Sequence, residues 1–257
     1  MPTATNGDVT LHYETEGEGP TVAFVGDVGY GAWLWGWHYD ALTEYETIVW
    51  ELRGTGESDA PSGPYDAATL AADLEAVLAD HGVGSVHLVG AGLGGMVALR
   101  YAHEYARART LTLYCTAASG DDVDADALSG LSFDAGSEAS LDGAFSPAFR
   151  EADPALVDQI TTWRAADDAT GDAFDAQAAA MTDFAAPPLY AVTLPTQVYY
   201  GLDDPVVDPA DAEELATDLP RGESEAVEGR HLCFVEHASA VTDQLLATLD
   251  THTDHEV

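Results

Sequence analysis

The sequence predicts an α/β fold: a mostly parallel sheet of about eight strands with helices on both faces and a helical cap insertion. Three observations predict it. Short apolar runs, such as Thr21–Val25 and residues 86–89, alternate with segments of helical periodicity. A glycine-dense turn, Gly90-Ala91-Gly92-Leu93-Gly94-Gly95, joins one of these runs directly to a helical segment. Between Ser119 and Pro188 the alternation gives way to an Ala- and Asp-rich stretch, after which it resumes.

Each element has its own warrant. Val9, Leu11 and Tyr13 alternate with polar residues, as on a half-buried strand. Residues 17–20 form a turn, and 21–25 and 47–52 read as buried strands with a helix over 33–45 between them. Asp66 caps a helix whose apolar face carries Leu70, Leu74, Val77 and Leu78, with Gly82 at its end. Residues 86–89 are a strand, 94–105 a helix and 110–114 a strand, and connections of this kind build parallel sheet. Within the insertion, Asp153-Pro154 offers a cap followed by proline at the first helical position. Strands at 196–200 and near 225–227 flank a helix over 209–219, and Val241, Leu245 and Leu249 mark one face of a last helix. The tail, 251–257, is expected to fray. The domain reading is a core of residues 1–118 and 189–257, split by a cap at 119–188.

Asp and Glu number 46 against 8 arginines and no lysine, a formal net charge of −38 spread along the chain. Such self-repulsion weakens a compact state and is screened in molar salt, so the expectation is a salt-adapted protein of the extreme-halophile type. A disordered acidic chain is the alternative, but 46% hydrophobic residues and 11 tyrosines argue for a packed core. This field excludes nucleic acid and anionic membranes as partners. No basic-then-apolar leader opens the sequence, and no apolar run approaches the roughly 18 residues of a membrane span. Cys115 and Cys233 make no disulfide framework. A cytoplasmic location follows, and the oligomeric state is not legible.

The turn at Gly90-x-Gly92-x-Gly94 has the strand-to-helix setting of a Gly-x-Ser-x-Gly nucleophile elbow, but its middle position, Gly92, carries no nucleophilic atom. Gly90-x-Gly92-x-x-Gly95 also fits a dinucleotide loop. Against that reading, several strand-like segments precede the turn, and the next strand ends on Tyr114-Cys115 rather than on an acid. Three further stretches matter: Trp50-Glu51-Leu52-Arg53-Gly54-Thr55-Gly56-Glu57-Ser58, Gly201-Leu202-Asp203-Asp204-Pro205 and Gly229-Arg230-His231-Leu232-Cys233. On these residues the sequence resembles the α/β-hydrolase family across nearly its whole length, in the lid-bearing branch that includes lactonases and esterases. The resemblance implies the order elbow, acid, histidine, with Asp204 as the acid and His231 as the histidine.

Two departures accompany the resemblance. One is Gly92. The other is Val25-Gly26-Asp27-Val28-Gly29, aligned with the family's His-Gly-x-x-Gly loop, where Asp27 brings a carboxylate beside the oxyanion hole. The resemblance implies His231 and Asp204 as a catalytic dyad, with Val28, Leu93 and Gly26 as oxyanion-type or substrate contacts and no cofactor or metal; Asp27, a departure from the family, joins the set as an extra acid expected in the same cavity. The ligand would be small and partly apolar. The chemistry would be ester or lactone hydrolysis, or C–C or proton-transfer chemistry, through a His–Asp dyad without a serine acyl-enzyme. The alternative is an inactive protein that binds a small molecule or a protein partner. Trp33, Trp35 and Trp37 read as pocket wall or core, and Cys115 and Cys233 as substitute nucleophiles or inert thiols. His252 with His255, and Asp203 with Asp204, resemble cation ligands by spacing alone.

Overall fold

The computed structural model describes residues 2–253. Strands β1 (Thr3–Asn6) and β2 (Val9–Glu16) form an antiparallel hairpin, followed by β3 (Thr21–Val25). A short helix, α1 (Gly36–Tyr39), precedes β4 (Glu46–Trp50). Then come α2 (Ala67–Asp80), β5 (Val86–Ala91), α3 (Leu93–Glu104) and β6 (Ala108–Tyr114). Five helices make the insertion: α4 (Ala125–Gly130), α5 (Ser137–Ala144), α6 (Pro147–Ala152), α7 (Pro154–Asp167) and α8 (Gly171–Thr182). The chain returns through β7 (Thr196–Gly201), α9 (Pro209–Asp218) and β8 (Gly222–Val227), and ends in α10 (Cys233–Glu236) and α11 (Ala238–His252).

The sheet has eight strands in the order β1-β2-β4-β3-β5-β6-β7-β8, parallel from β4 onward and antiparallel at β2. Strands β3 and β5 lie at its centre, and every residue of both is buried. Burial on both faces explains why they read as unbroken apolar runs. Helix α2 lays Leu70, Leu74, Val77 and Leu78 onto the sheet, all at 0% exposure. Each such side chain contributes about 1.5–3 kcal/mol relative to exposure. Strand β8 closes one edge, and its exposed Glu223 and Glu225 discourage pairing with another chain.

The structure departs from the sequence reading in places. The single helix expected over 33–45 is a 3-10 turn (Ala32–Trp35) followed by the four-residue α1, which ends at Tyr39. The polar strand β1 carried no apolar signal. The tail expected to fray begins inside α11, and residues 254–257 lie outside the described residues.

The cap is bonded onto the loop that follows β3. Gln177 on α8 accepts from the Gly29 N–H at 2.7 Å and donates to the Arg53 carbonyl at 2.9 Å. The Ala169 N–H donates to the Gly29 carbonyl at 2.8 Å. Among the described residues, no helix is long and apolar enough to cross a membrane.

Candidate functional site

Strand β5 ends at Ala91 and α3 starts at Leu93, so the reversal falls on Gly92, with φ 47° and ψ −113°. That left-handed geometry suits glycine. The turn is pinned by the Gly92 N–H to the Tyr114 carbonyl at 2.9 Å and by Thr116 Oγ1 to the Gly92 carbonyl at 2.7 Å. The space a Cβ on Gly92 would need is occupied by the Asp27 carboxylate. The parallel register of β3 and β5, with Val25 opposite Gly90, brings the two turns side by side.

Asp27 Oδ1 accepts two backbone N–H bonds, from Val28 at 2.7 Å and from Leu93 at 2.9 Å. Its other oxygen, Oδ2, lies 2.8 Å from His231 Nε2. The opposite ring nitrogen, Nδ1, sits 2.9 Å from both oxygens of Asp204. Asp204 also accepts from the Val206 N–H at 2.8 Å, which fixes its orientation. The imidazole is thus clamped between two carboxylates, with Asp27 and His231 both at 0% exposure. Burial opposes its protonation, but the charges of Asp204 and Asp27 and their hydrogen bonds outweigh burial and hold His231 well above the usual histidine range. Since a carboxylate only accepts, the resting state is an imidazolium donating to both acids.

Cys115 follows β6 with φ 49°, a rare conformation for a side-chain-bearing residue, and its Sγ lies 3.6 Å from that of Cys233. Burial, then the Cys233 thiol, pushes the Cys115 thiol up, so it stays protonated. Cys115, Asp204 and His231 each offer a ligand atom within 4.8 Å of the others, the one such grouping among the described residues. A metal there would compete for ring nitrogens of His231 that already bond Asp204 and Asp27. Tyr30 adds a buried hydroxyl without a hydrogen-bond partner, raised first by burial and further by the nearby Asp27, Asp168 and Asp204.

The structure brings together Asp27, Val28, Gly92, Leu93, Asp204 and His231. Gly26 donates no hydrogen bond to the carboxylate; its carbonyl instead packs 2.6 Å from where a Cβ on Gly94 would be. Of the turn's own N–H groups, Gly92 donates to the Tyr114 carbonyl, Leu93 to Asp27 and Gly95 to the Gly92 carbonyl. Trp35 is core, stacked on Phe234 at 5.3 Å, whereas Trp33 and Trp37 face a cleft. His252 Nδ1 is spent on the Thr248 carbonyl, and His255 lies outside the described residues. Sequence reasoning missed Tyr30, whose signal would have been its place beside the Asp27 loop.

A buried acid–histidine–acid clamp beneath a helical cap, at the carboxyl ends of a parallel sheet, defines a hydrolase-like architecture. The profile described as "Alpha/beta hydrolase family" matches residues 26–244, so the chain belongs to that family. It is 27% identical over 256 residues to "3-oxoadipate enol-lactonase 2" of Acinetobacter baylyi, covering 96% of both chains. "Epoxide hydrolase 2" of Siraitia grosvenorii is 35% identical over 101 residues, 37% of this chain and 31% of that relative. Against this and other relatives above 30% identity, the chain spans less than half of the relative's own length. An enol-lactonase from Burkholderia xenovorans LB400 superposes with a TM-score of 0.87 at 22% identity, over 97% of this chain and 100% of that one, a likeness of fold.

One sequence expectation is corrected. A salt-adapted member defined by a glycine in place of the serine is not what emerges: the family match and the fold relatives give no support for salt adaptation. The reactive groups gathered in the interior are Cys115, Asp204 and His231, and the space beside Gly92 is filled by Asp27.

Proposed function

We propose that the chain is a hydrolase acting on a small, partly apolar molecule in which Asp27 is the nucleophile and His231, held by Asp204, moves the proton. The observation that carries this is the binding of one carboxylate at both ends: Oδ1 on two backbone N–H groups, Oδ2 on the imidazole. With those N–H groups taken, a substrate carbonyl finds no free oxyanion donors there, which favours attack at a saturated carbon, as in a small epoxide. Asp27 Oδ2 attacks the carbon, the C–O bond breaks, and the alkoxide takes the proton from His231 Nε2. The resulting ester removes the Asp27 charge, so His231 becomes a less encumbered base. It then takes a proton from water as that water attacks Asp27 Cγ. The negative charge developing on Oδ1 falls on the Val28 and Leu93 N–H groups. Collapse releases the diol, whose oxygen takes the proton back from His231, and the Asp27 acid returns its proton to the ring. The Cys115 thiol, held protonated, is a poor nucleophile by comparison.

The test is a single turnover of styrene oxide by excess enzyme in 18O-water. The expected result is unlabelled diol in the first turnover and label in the Asp27 carboxylate by peptide mass spectrometry. Labelled diol in that first turnover would sink the proposal, as would turnover confined to an ester such as p-nitrophenyl acetate. A second reading, a protein that binds without turnover, is favoured by the zero exposure of Asp27 and His231. Binding of either compound with no product from either would select it.

A further inference from the structure

A separate cleft of about 630 Å³ opens on the flank of the molecule, where α7 of the cap meets the core. None of Asp27, Asp204 or His231 lines it. Trp33, Trp37 and Trp163 form its aromatic wall, three of the five tryptophans in the chain. The Trp37 ring stands edge-on to Trp33 at 6.2 Å and to Trp163 at 5.8 Å, and Trp33 and Trp163 lie nearly parallel at 6.5 Å. Facing this corner are Glu51, Glu57 and Asp167, with Glu14 and Asp40 in the same lining and no lysine or arginine. Burial, then the charge of Glu57, pushes the Asp167 carboxyl up, a sign of like charges held together without a counter-ion.

Acidic lining is expected in a chain with 46 acids, so the carboxylates alone single out nothing. His12 does. It lines the cleft at 3% exposure, and its Nδ1 lies 3.1 Å from Glu51 Oε2. A carboxylate only accepts, so Nδ1 donates to it. Nε2 is buried without a hydrogen-bond partner, and Glu57 Oε2 stands 3.8 Å away, too far for a hydrogen bond. A buried ring nitrogen left without a hydrogen-bond partner beside an aromatic corner calls for a ligand that brings a polar group. A chelated metal ion does not fit: among the described residues, the compact ligand grouping is Cys115, Asp204 and His231, not these acids.

We propose that this cleft binds an alkylammonium cation that also carries a hydroxyl group. The cationic head packs on the faces of Trp33, Trp37 and Trp163, as cations do over indole rings, with Glu51, Glu57 and Asp167 supplying the counter-charge. The hydroxyl, which can donate or accept, meets His12 Nε2. Because the ligand would touch both α7 and the core, its binding also ties the cap down.

The test compares choline with 3,3-dimethylbutan-1-ol, which has the same shape without the charge, by tryptophan fluorescence and calorimetry at ionic strength fixed with KCl. Choline should bind saturably and about tenfold or more tighter than the neutral isostere. Trp163→Leu and Trp37→Leu should each weaken choline by about tenfold. His12→Phe should remove the advantage of choline over tetramethylammonium, which lacks the hydroxyl. Equal affinity for choline and the neutral alcohol would overturn the proposal. So would a response that KCl alone reproduces, or tryptophan variants that melt like the parent and bind as well. If Trp163→Leu does not fold, the ligand comparison on the unaltered chain still decides. Neither result bears on Asp27 chemistry, since the cleft shares no residue with that site.

Discussion

His231 and His38 are shut off from solvent to the same degree, 0% and 1% exposed, and yet they sit in opposite charge states. His38 lies among rings, with Trp35 at 5.8 Å, Phe234 at 5.9 Å and Tyr114 at 6.4 Å. Its Nδ1 meets Thr242 Oγ1 at 2.8 Å, and its Nε2 has no hydrogen-bond partner. With nothing to offset burial, its pKa is pushed down to about 4. His231 is as deeply buried but has a carboxylate on each ring nitrogen, and stays charged. Burial by itself therefore decides nothing about a histidine; the partner of each ring nitrogen does. Only the first arrangement stores a proton that can be handed over and taken back.

Removing one of the two acids is the strongest way to break this contrast. Asp27→Asn keeps the shape and deletes the charge. It should lower turnover on the order of 10³-fold, the range for loss of a group taking part in proton transfer or covalent chemistry. The His231 ring resonances should then titrate closer to the ordinary histidine range. Turnover within about tenfold of the parent would remove Asp27 from the reaction.

The two histidines should also leave opposite marks on stability. For His38 the folded pKa is depressed, so its contribution is present above about 6.5 and is lost as pH falls toward 4. The gap corresponds to about 3 kcal/mol. His87, pushed down to about 4 by burial, adds a loss of the same sign. Denaturant melts at pH 7 and pH 4.5 should show a smaller acid loss in His38→Gln than in the parent. For His231 the folded pKa is raised, so its contribution is complete below about 6.5 and fades as pH rises through the raised value. His231→Gln should flatten the alkaline side of the stability profile. Parallel pH profiles for parent and variants would mean that neither ring is perturbed as its surroundings demand.

Much of this arrangement was legible in the residues, and the part that was not has a physical cause. Periodicity and glycine placement marked β3, β5, α2 and α3, because these elements are buried along whole faces. The loops carrying Asp204 and His231 were recognisable by their order along the chain. Beyond sequence was the rotamer of Asp27. A carboxylate beside an oxyanion hole reads as repulsive until it is known that its Oδ1 accepts from Val28 and Leu93. That depends on two turns lying side by side, a consequence of β3 pairing with β5 rather than of any local pattern. Trp33 and Trp37 were open as pocket wall, but Tyr30, Gln177 and the joining of Trp163 to those two rings were missed for the same reason: each links the cap to the core across a long stretch of chain.

Cys115 offers the smallest effect and the sharpest discrimination. It stands within 4.8 Å of ligand atoms on Asp204 and His231, so proximity alone would cast it as the nucleophile. Attack needs the thiolate, however, and burial together with Cys233 holds the thiol protonated. The imidazole that would take its proton is already charged and engaged on both nitrogens. Cys115→Ala should therefore keep turnover within about threefold of the parent, with a stability loss of about 1 kcal/mol for the buried sulfur. A fall comparable to that of Asp27→Asn, in a variant that melts normally, would transfer the nucleophile from Asp27 to Cys115 and leave His231 serving the thiol instead.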